Sequence, residues 1–84
     1  MTREREYSDT EILIDAYRKR SNYSVKRLLD RIGMSYPTYA TRLKKPATWR
    51  QDELGELYIA LNMNREERDD FQESIYSSYL RERI

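Results

Sequence analysis

The sequence predicts an all-α fold, a compact bundle of five helices, on three observations. Glycine and proline occur only twice each in 84 residues while charged residues reach 37%, a make-up that suits helices better than strands and turns. Apolar residues recur at i, i+3, i+4 and i+7 rather than alternating. Residues that cap helix N-termini stand before each of these stripes. A chain of this length supports one core, so residues 8–84 are expected to form a single domain and residues 1–7 a flexible tail.

The first helix is expected over residues 8–20. Ser8-Asp-Thr-Glu11 has capping-box spacing, and Ile12, Leu13, Ala16 and Tyr17 form its apolar face. Ser24 caps a short second helix, Val25–Ile32, with Val25, Leu28, Leu29 and Ile32 as its stripe, and Gly33 stops it. Ser35 caps a third over residues 36–45, with Pro37 in the first turn, where a missing N–H costs little, and Pro46 beyond its end. Thr48-Trp-Arg-Gln51 again has capping-box spacing and predicts a fourth helix to about Leu61, burying Leu54, Leu57, Tyr58 and Leu61. Asn64-Arg-Glu-Glu67 opens the fifth, to about Glu82, with Phe71, Ile75, Tyr76, Tyr79 and Leu80 as its stripe. Trp49, just inside a helix start, is expected in the core.

The net charge of +1 conceals a segregation. Residues 17–50 hold ten cations (Arg18, Lys19, Arg20, Lys26, Arg27, Arg31, Arg42, Lys44, Lys45 and Arg50) against one acid, Asp30, a net of about +9. Residues 1–16 carry about −3 and residues 51–84 about −5. Such asymmetry within one small domain points to a middle that faces a polyanion and to ends that face solvent or a partner.

The basic block coincides with a helix-turn-helix pattern over residues 24–45. Gly33 permits the positive φ that redirects the chain, and Met34 plugs the angle between the helices. Leu29 and Tyr39 are expected to meet across that angle, with Leu43 one turn on. The 100° step then places Pro37, Thr41 and Lys44 on the opposite face, flanked by Thr38 and Lys45. An outward face that is small and hydroxylated at its start and cationic at its end suits a helix entering the major groove, whose first turns approach base edges while later cations reach phosphates. The candidate DNA-binding residues are Ser24, Lys26, Ser35, Tyr36, Pro37, Thr38, Thr41, Arg42, Lys44, Lys45 and Arg50. The helix starts at Ser24 and Ser35 add backbone N–H groups suited to phosphate oxygens. Arg18, Lys19 and Arg20 serve either the dipole of the first helix or phosphate contact.

Leu28-Leu-Asp-Arg-Ile-Gly-Met-Ser35 and Thr38-Tyr-Ala-Thr-Arg-Leu43 resemble the helix-turn-helix of the phage repressor and Cro-like superfamily. The stretches Lys45-Pro-Ala-Thr-Trp-Arg-Gln-Asp-Glu-Leu54 and Leu57-Tyr-Ile-Ala-Leu-Asn-Met63 are similar to the loop and packing helix that follow it. The resemblance implies a five-helix domain of the lambda-repressor-like type, with the motif in helices 2 and 3, that binds operator DNA, commonly as a dimer on a pseudopalindrome. The family's reader positions usually carry Gln, Arg, Asn or Ser. Here they begin Tyr36-Pro37-Thr38, so base contacts are expected to be sparse. Phe71, Ile75, Tyr76, Tyr79 and Leu80 are the candidate surface for a homodimer.

The absence of histidine and cysteine removes Ser-His, Cys-His and the common zinc constellations, so neither an enzyme nor a cofactor is expected. Glu66, Glu67, Asp69 and Asp70 fit stabilisation of a helix start better than a metal site. The longest apolar run, Leu57-Tyr-Ile-Ala-Leu61, is far short of a membrane span, and Met1-Thr-Arg-Glu-Arg-Glu has no apolar signal core. A cytoplasmic location is therefore expected. The expected function is sequence-specific binding of double-stranded DNA by a small transcriptional regulator. The alternative is a protein-interaction module, an antirepressor or small phage adaptor, that docks through the acidic C-terminal helix.

Overall fold

Local capping chemistry sets most of the helix boundaries. The computed structural model describes residues 9–83, so the Ser8 cap and the expected tail at residues 1–7 lie outside the described residues. Five α-helices follow in order: α1 (Asp9–Arg20), α2 (Val25–Ile32), α3 (Tyr36–Lys44), α4 (Gln51–Ala60) and α5 (Arg65–Arg83), with a 3-10 turn at Pro46–Thr48 between α3 and α4. There is no strand among the described residues. The helices pack into one globule in which α1 lies against α5, α2 against α4, and both α3 and α5 against the 3-10 turn.

Ser24 Oγ accepts from the Arg27 N–H at 3.1 Å and starts α2. Gly33 ends it in the left-handed region at φ 70°, and the Met34 N–H donates to the Leu29 carbonyl at 3.0 Å to close the turn. A Cβ at Gly33 would meet nothing within 4 Å, so glycine is required there by backbone conformation and not by space. Ser35 Oγ accepts from the Thr38 N–H at the start of α3. α5 opens with a reciprocal cap: the Glu67 N–H donates to Asn64 Oδ1 at 2.8 Å and the Asn64 N–H to Glu67 Oε1 at 3.0 Å.

The start of α4 differs from the expected one. Thr48 Oγ1 donates to the Lys45 carbonyl at 2.6 Å and belongs to the 3-10 turn, whose Pro46 is buried. The helix begins three residues later, at Gln51, where the Glu53 carboxylate accepts from the Arg50 N–H at 2.9 Å. Pro46 fixes its own φ and starts a tight turn that uses the Thr48 hydroxyl internally.

The core contains Ile14, Tyr17, Leu28, Leu29, Tyr39, Trp49, Leu54, Leu57, Leu61, Met63 and Phe71. Trp49 is buried as expected, its ring edge-on to Phe71 with centroids 6.3 Å apart. Tyr58 meets Phe71 edge-on from another side at 6.1 Å, while its hydroxyl accepts from Gln72 Nε2 at 2.8 Å.

The inward faces of α1 and α5 correct the sequence reading. α1 buries Thr10, Glu11, Ile14 and Tyr17, leaving Ile12 and Ala16 exposed. α5 buries Phe71, Ser74 and Ser78, and leaves Tyr76, Tyr79 and Leu80 largely outside. Small hydroxylated residues occupy inward positions, Thr10 on α1 and Ser74 and Ser78 on α5. Thr10 Oγ1 and Ser74 Oγ are 2.8 Å apart in the buried α1–α5 contact, and Ser74 donates to the Phe71 carbonyl at 2.6 Å, which makes Thr10 the donor of the pair. Small side chains with internally satisfied hydroxyls let the two helices approach closely.

Candidate nucleic-acid interface

In α3 the inward positions are Tyr39, 3% exposed, and Leu43, partly buried against the core. Pro37, Thr41 and Lys44, the face that the 100° step places outward, are exposed, as are Tyr36 and the flanking Lys45, while the other flanking residue, Thr38, is half-buried. Burial, followed by the nearby Asp15 carboxylate, pushes the Tyr39 phenol up to about 12. A phenol whose folded pKa exceeds its unfolded value supports the fold fully below the unfolded value, and that support is lost as pH rises through the folded one. Stability is therefore expected to fall between pH 10 and about 12, and Tyr39→Phe, followed by circular dichroism across that range, should flatten the loss.

Most hydroxyls at the start and on the outward face of α3 already have a partner. Ser35 Oγ donates to Thr38 Oγ1 at 3.0 Å, which leaves the Thr38 proton available for an external acceptor. Thr41 Oγ1 donates to the Pro37 carbonyl at 3.0 Å and so offers a ligand only its lone pairs and its methyl group. Tyr36, 60% exposed, presents an aromatic face and a phenol at the helix start.

The cations divide into those held internally and those presented outward. Arg42 is held by Glu53 through two hydrogen bonds of 2.8 and 3.1 Å, with both side chains less than a fifth exposed. The bidentate pair ties α3 to α4. Arg20 binds the Glu67 carboxylate and donates to the Leu61 carbonyl at 3.3 Å, joining the end of α1 to the α4–α5 junction. Arg18 donates to the Tyr23 carbonyl at 2.8 Å and pairs with Asp15. Lys26–Asp30 and Arg50–Asp52 are exposed pairs that water screens, leaving their cations available. Lys19, Arg27, Arg31, Lys44 and Lys45 are exposed and have no carboxylate partner among the described residues. Of the eleven candidate positions, only Arg42 has its charge taken up by an internal partner in a largely covered setting.

The Arg42–Glu53 pair has a pH signature. The Arg42 guanidinium, aided by the Arg50 N–H, holds the Glu53 carboxyl below its ordinary 4.5, and Arg20 does the same for Glu67. Carboxyls depressed by folding stabilise the native state above their unfolded pKa and lose that effect as pH falls through the folded value. Thermal melts should therefore drop below pH about 4.5. Arg42→Ala should cost about 1–3 kcal/mol at neutral pH by leaving Glu53 half-buried without its donor, an effect that urea unfolding at pH 7 and pH 4 would check.

Sequence reasoning missed an acidic wall. Ser35 and Thr38 share an open groove of about 580 Å³ with Asp52, Glu53 and Glu56 of α4. The carboxylates that complement the α4 dipole thus lie beside the start of α3, so a polyanion is favoured at the Lys44–Lys45 end of the helix. A second groove, about 370 Å³, is lined by Val25, Leu29, Met34 and Tyr36 and edged by Lys26 and Ser35. Met34 lines both grooves while packing on the core, the position expected of the plug.

No family model, curated protein or solved structure matches the chain. The site is therefore read from its own geometry. No helix among the described residues is long and apolar enough to cross a membrane. The stripe expected as a subunit contact is split: Phe71 is fully buried in its own protomer and Ile75 is half-buried, so its exposed part is Tyr76, Tyr79 and Leu80.

Proposed function

We propose that the chain is a small transcriptional regulator of the repressor or Cro-like kind, which binds double-stranded DNA in a sequence-specific manner by laying α3 in the major groove. The observation that carries the proposal is the partition of α3 after the left-handed Gly33, with Tyr39 and Leu43 inward and Tyr36, Pro37, Thr41, Lys44 and Lys45 outward. In this reading Lys44, Lys45, Arg50 and Lys26 contact phosphates, and the helix starts at Ser24 and Ser35 supply backbone donors. Tyr36 and Thr38 are the base-reading groups, and Arg42 holds α3 in place through Glu53. Affinity then comes chiefly from counterion release, and the base code is short. Occupancy of the groove excludes polymerase, and a homodimer would read two half-sites.

Selection from random duplexes at two salt concentrations tests the proposal. The expected result is an enriched motif whose recovery falls steeply with salt, its half-sites spaced by about one helical turn if two copies bind. Absence of enrichment, with no mobility shift at low salt, would replace DNA binding by the protein-interaction alternative.

A further inference from the structure

We propose that the groove between α1 and α5 is the docking site for a cationic amphipathic helix of a partner protein. The groove, about 320 Å³, is lined by Asp9, Ile12 and Leu13 from α1 and by Asp70, Glu73 and Ser77 from α5. It shares no residue with α2 or α3, so this inference stands independently of the DNA-binding reading.

Its floor is apolar without being part of the core. The inward stripe of α1 runs through Thr10, Ile14 and Tyr17, which leaves Ile12 55% exposed at the groove. On α5, Glu73, Tyr76, Ser77 and Leu80 follow i, i+3, i+4, i+7 and share one face. Tyr76 is 58% and Leu80 44% exposed on the α5 face that also carries the groove residues Glu73 and Ser77. Exposed apolar side chains grouped beside a groove mark an interaction site.

The charge at the rim selects the occupant. Asp70 and Glu73 are exposed and have no cationic partner among the described residues, while Asp9 is paired with Arg81 at 3.6 Å. Two exposed carboxylates without a cationic partner among the described residues, beside apolar side chains, complement an apolar ridge flanked by lysine or arginine, the pattern of a cationic helix laid in a groove. A second copy meeting this face through a two-fold axis would bring like charges together. A nucleic-acid phosphate would be repelled.

The test uses the full chain and a short fluorescein-labelled synthetic helix with a leucine ridge and lysines elsewhere. Controls are the same helix with leucines changed to serine and one with lysines changed to glutamate. Saturable anisotropy is expected for the leucine–lysine helix alone, with amide shifts confined to α1 and α5. Asp70→Lys/Glu73→Lys and, separately, Ile12→Ser should each raise its Kd about tenfold. All these positions are at the surface, so the variants are expected to remain folded, which circular dichroism would check. Equal binding of the serine helix, unchanged affinity in both variants, or shifts mapped to α3 would overturn the proposal. So would self-association abolished by Ile12→Ser, which assigns the face to a second copy, or displacement of the probe by a peptide of residues 1–8, which assigns it to this chain.

Discussion

Phe71→Ala is expected to lower stability by about 3–5 kcal/mol, the usual cost of removing a fully buried phenylalanine ring from a core. Domains of this size hold only about 5–15 kcal/mol in total, so the melting point should drop by roughly 15–30 °C. The ring is 0% exposed and meets both Trp49 and Tyr58 edge-on. Alanine would thus open a void where α5, the 3-10 turn and α4 converge. The backbone cannot close that void cheaply, because Ser74 is anchored to the Phe71 carbonyl and to Thr10 across the helix pair. The single tryptophan, Trp49, lies against the missing ring, so its emission should report the loosened core before the helices melt. If Phe71 acted instead as a subunit contact, the loss would depend on protein concentration. A urea midpoint independent of concentration is expected. A melting point within a few degrees of wild type would contradict the packing described.

The parts of this fold that are legible in the sequence are those encoded locally. Ser24, Gly33, Ser35 and Asn64 act on groups within a few residues of themselves, and each performs the capping or turning role its side chain implies. The outward face of α3 follows from them, since a fixed helix start and one buried residue, Tyr39, determine the rest by the 100° step. The faces of α1 and α5 were not legible, because Thr10, Ser74 and Ser78 are small polar residues that hydropathy does not mark as inward. Thr10 and Ser74 satisfy each other across the helix pair, through a hydrogen bond between residues far apart in the chain. The same holds for charge. Counting cations in residues 17–50 cannot reveal that Arg20 is held by Glu67 or Arg42 by Glu53, because the carboxylates arrive from other helices. The +9 block is real in sequence, but its exposed cations without a carboxylate partner among the described residues reduce to Lys19 on α1, Arg27 and Arg31 on α2, and the adjacent Lys44 and Lys45 at the end of α3.

That concentration of unpaired charge leads to the largest functional effect expected. Lys44→Ala/Lys45→Ala/Arg50→Ala should weaken binding to duplex DNA by roughly a hundred- to a thousandfold near 0.1 M salt. It should also reduce the slope of log affinity against log salt by about 2.7, at about 0.9 for each phosphate no longer neutralised. All three side chains are exposed, and the sole ion pair removed among the described residues, Arg50–Asp52, is a screened surface pair, so the fold should be little changed. The control removes equal charge elsewhere. Arg65→Ala/Arg68→Ala/Arg81→Ala strips three exposed cations from α5, and if local phosphate binding rather than net charge governs affinity it leaves the slope unchanged. Thr38→Ala and Tyr36→Ala should behave differently again, altering the selected motif while the salt slope stays at its wild-type value, because the proposed function assigns those side chains to bases and not to phosphates. Titrations at several salt concentrations separate the three classes. A wild-type slope in the Lys44/Lys45/Arg50 variant would remove the end of α3 from the interface and leave Arg27 and Arg31 of α2 as the remaining exposed cations of α2 and α3 without a carboxylate partner among the described residues.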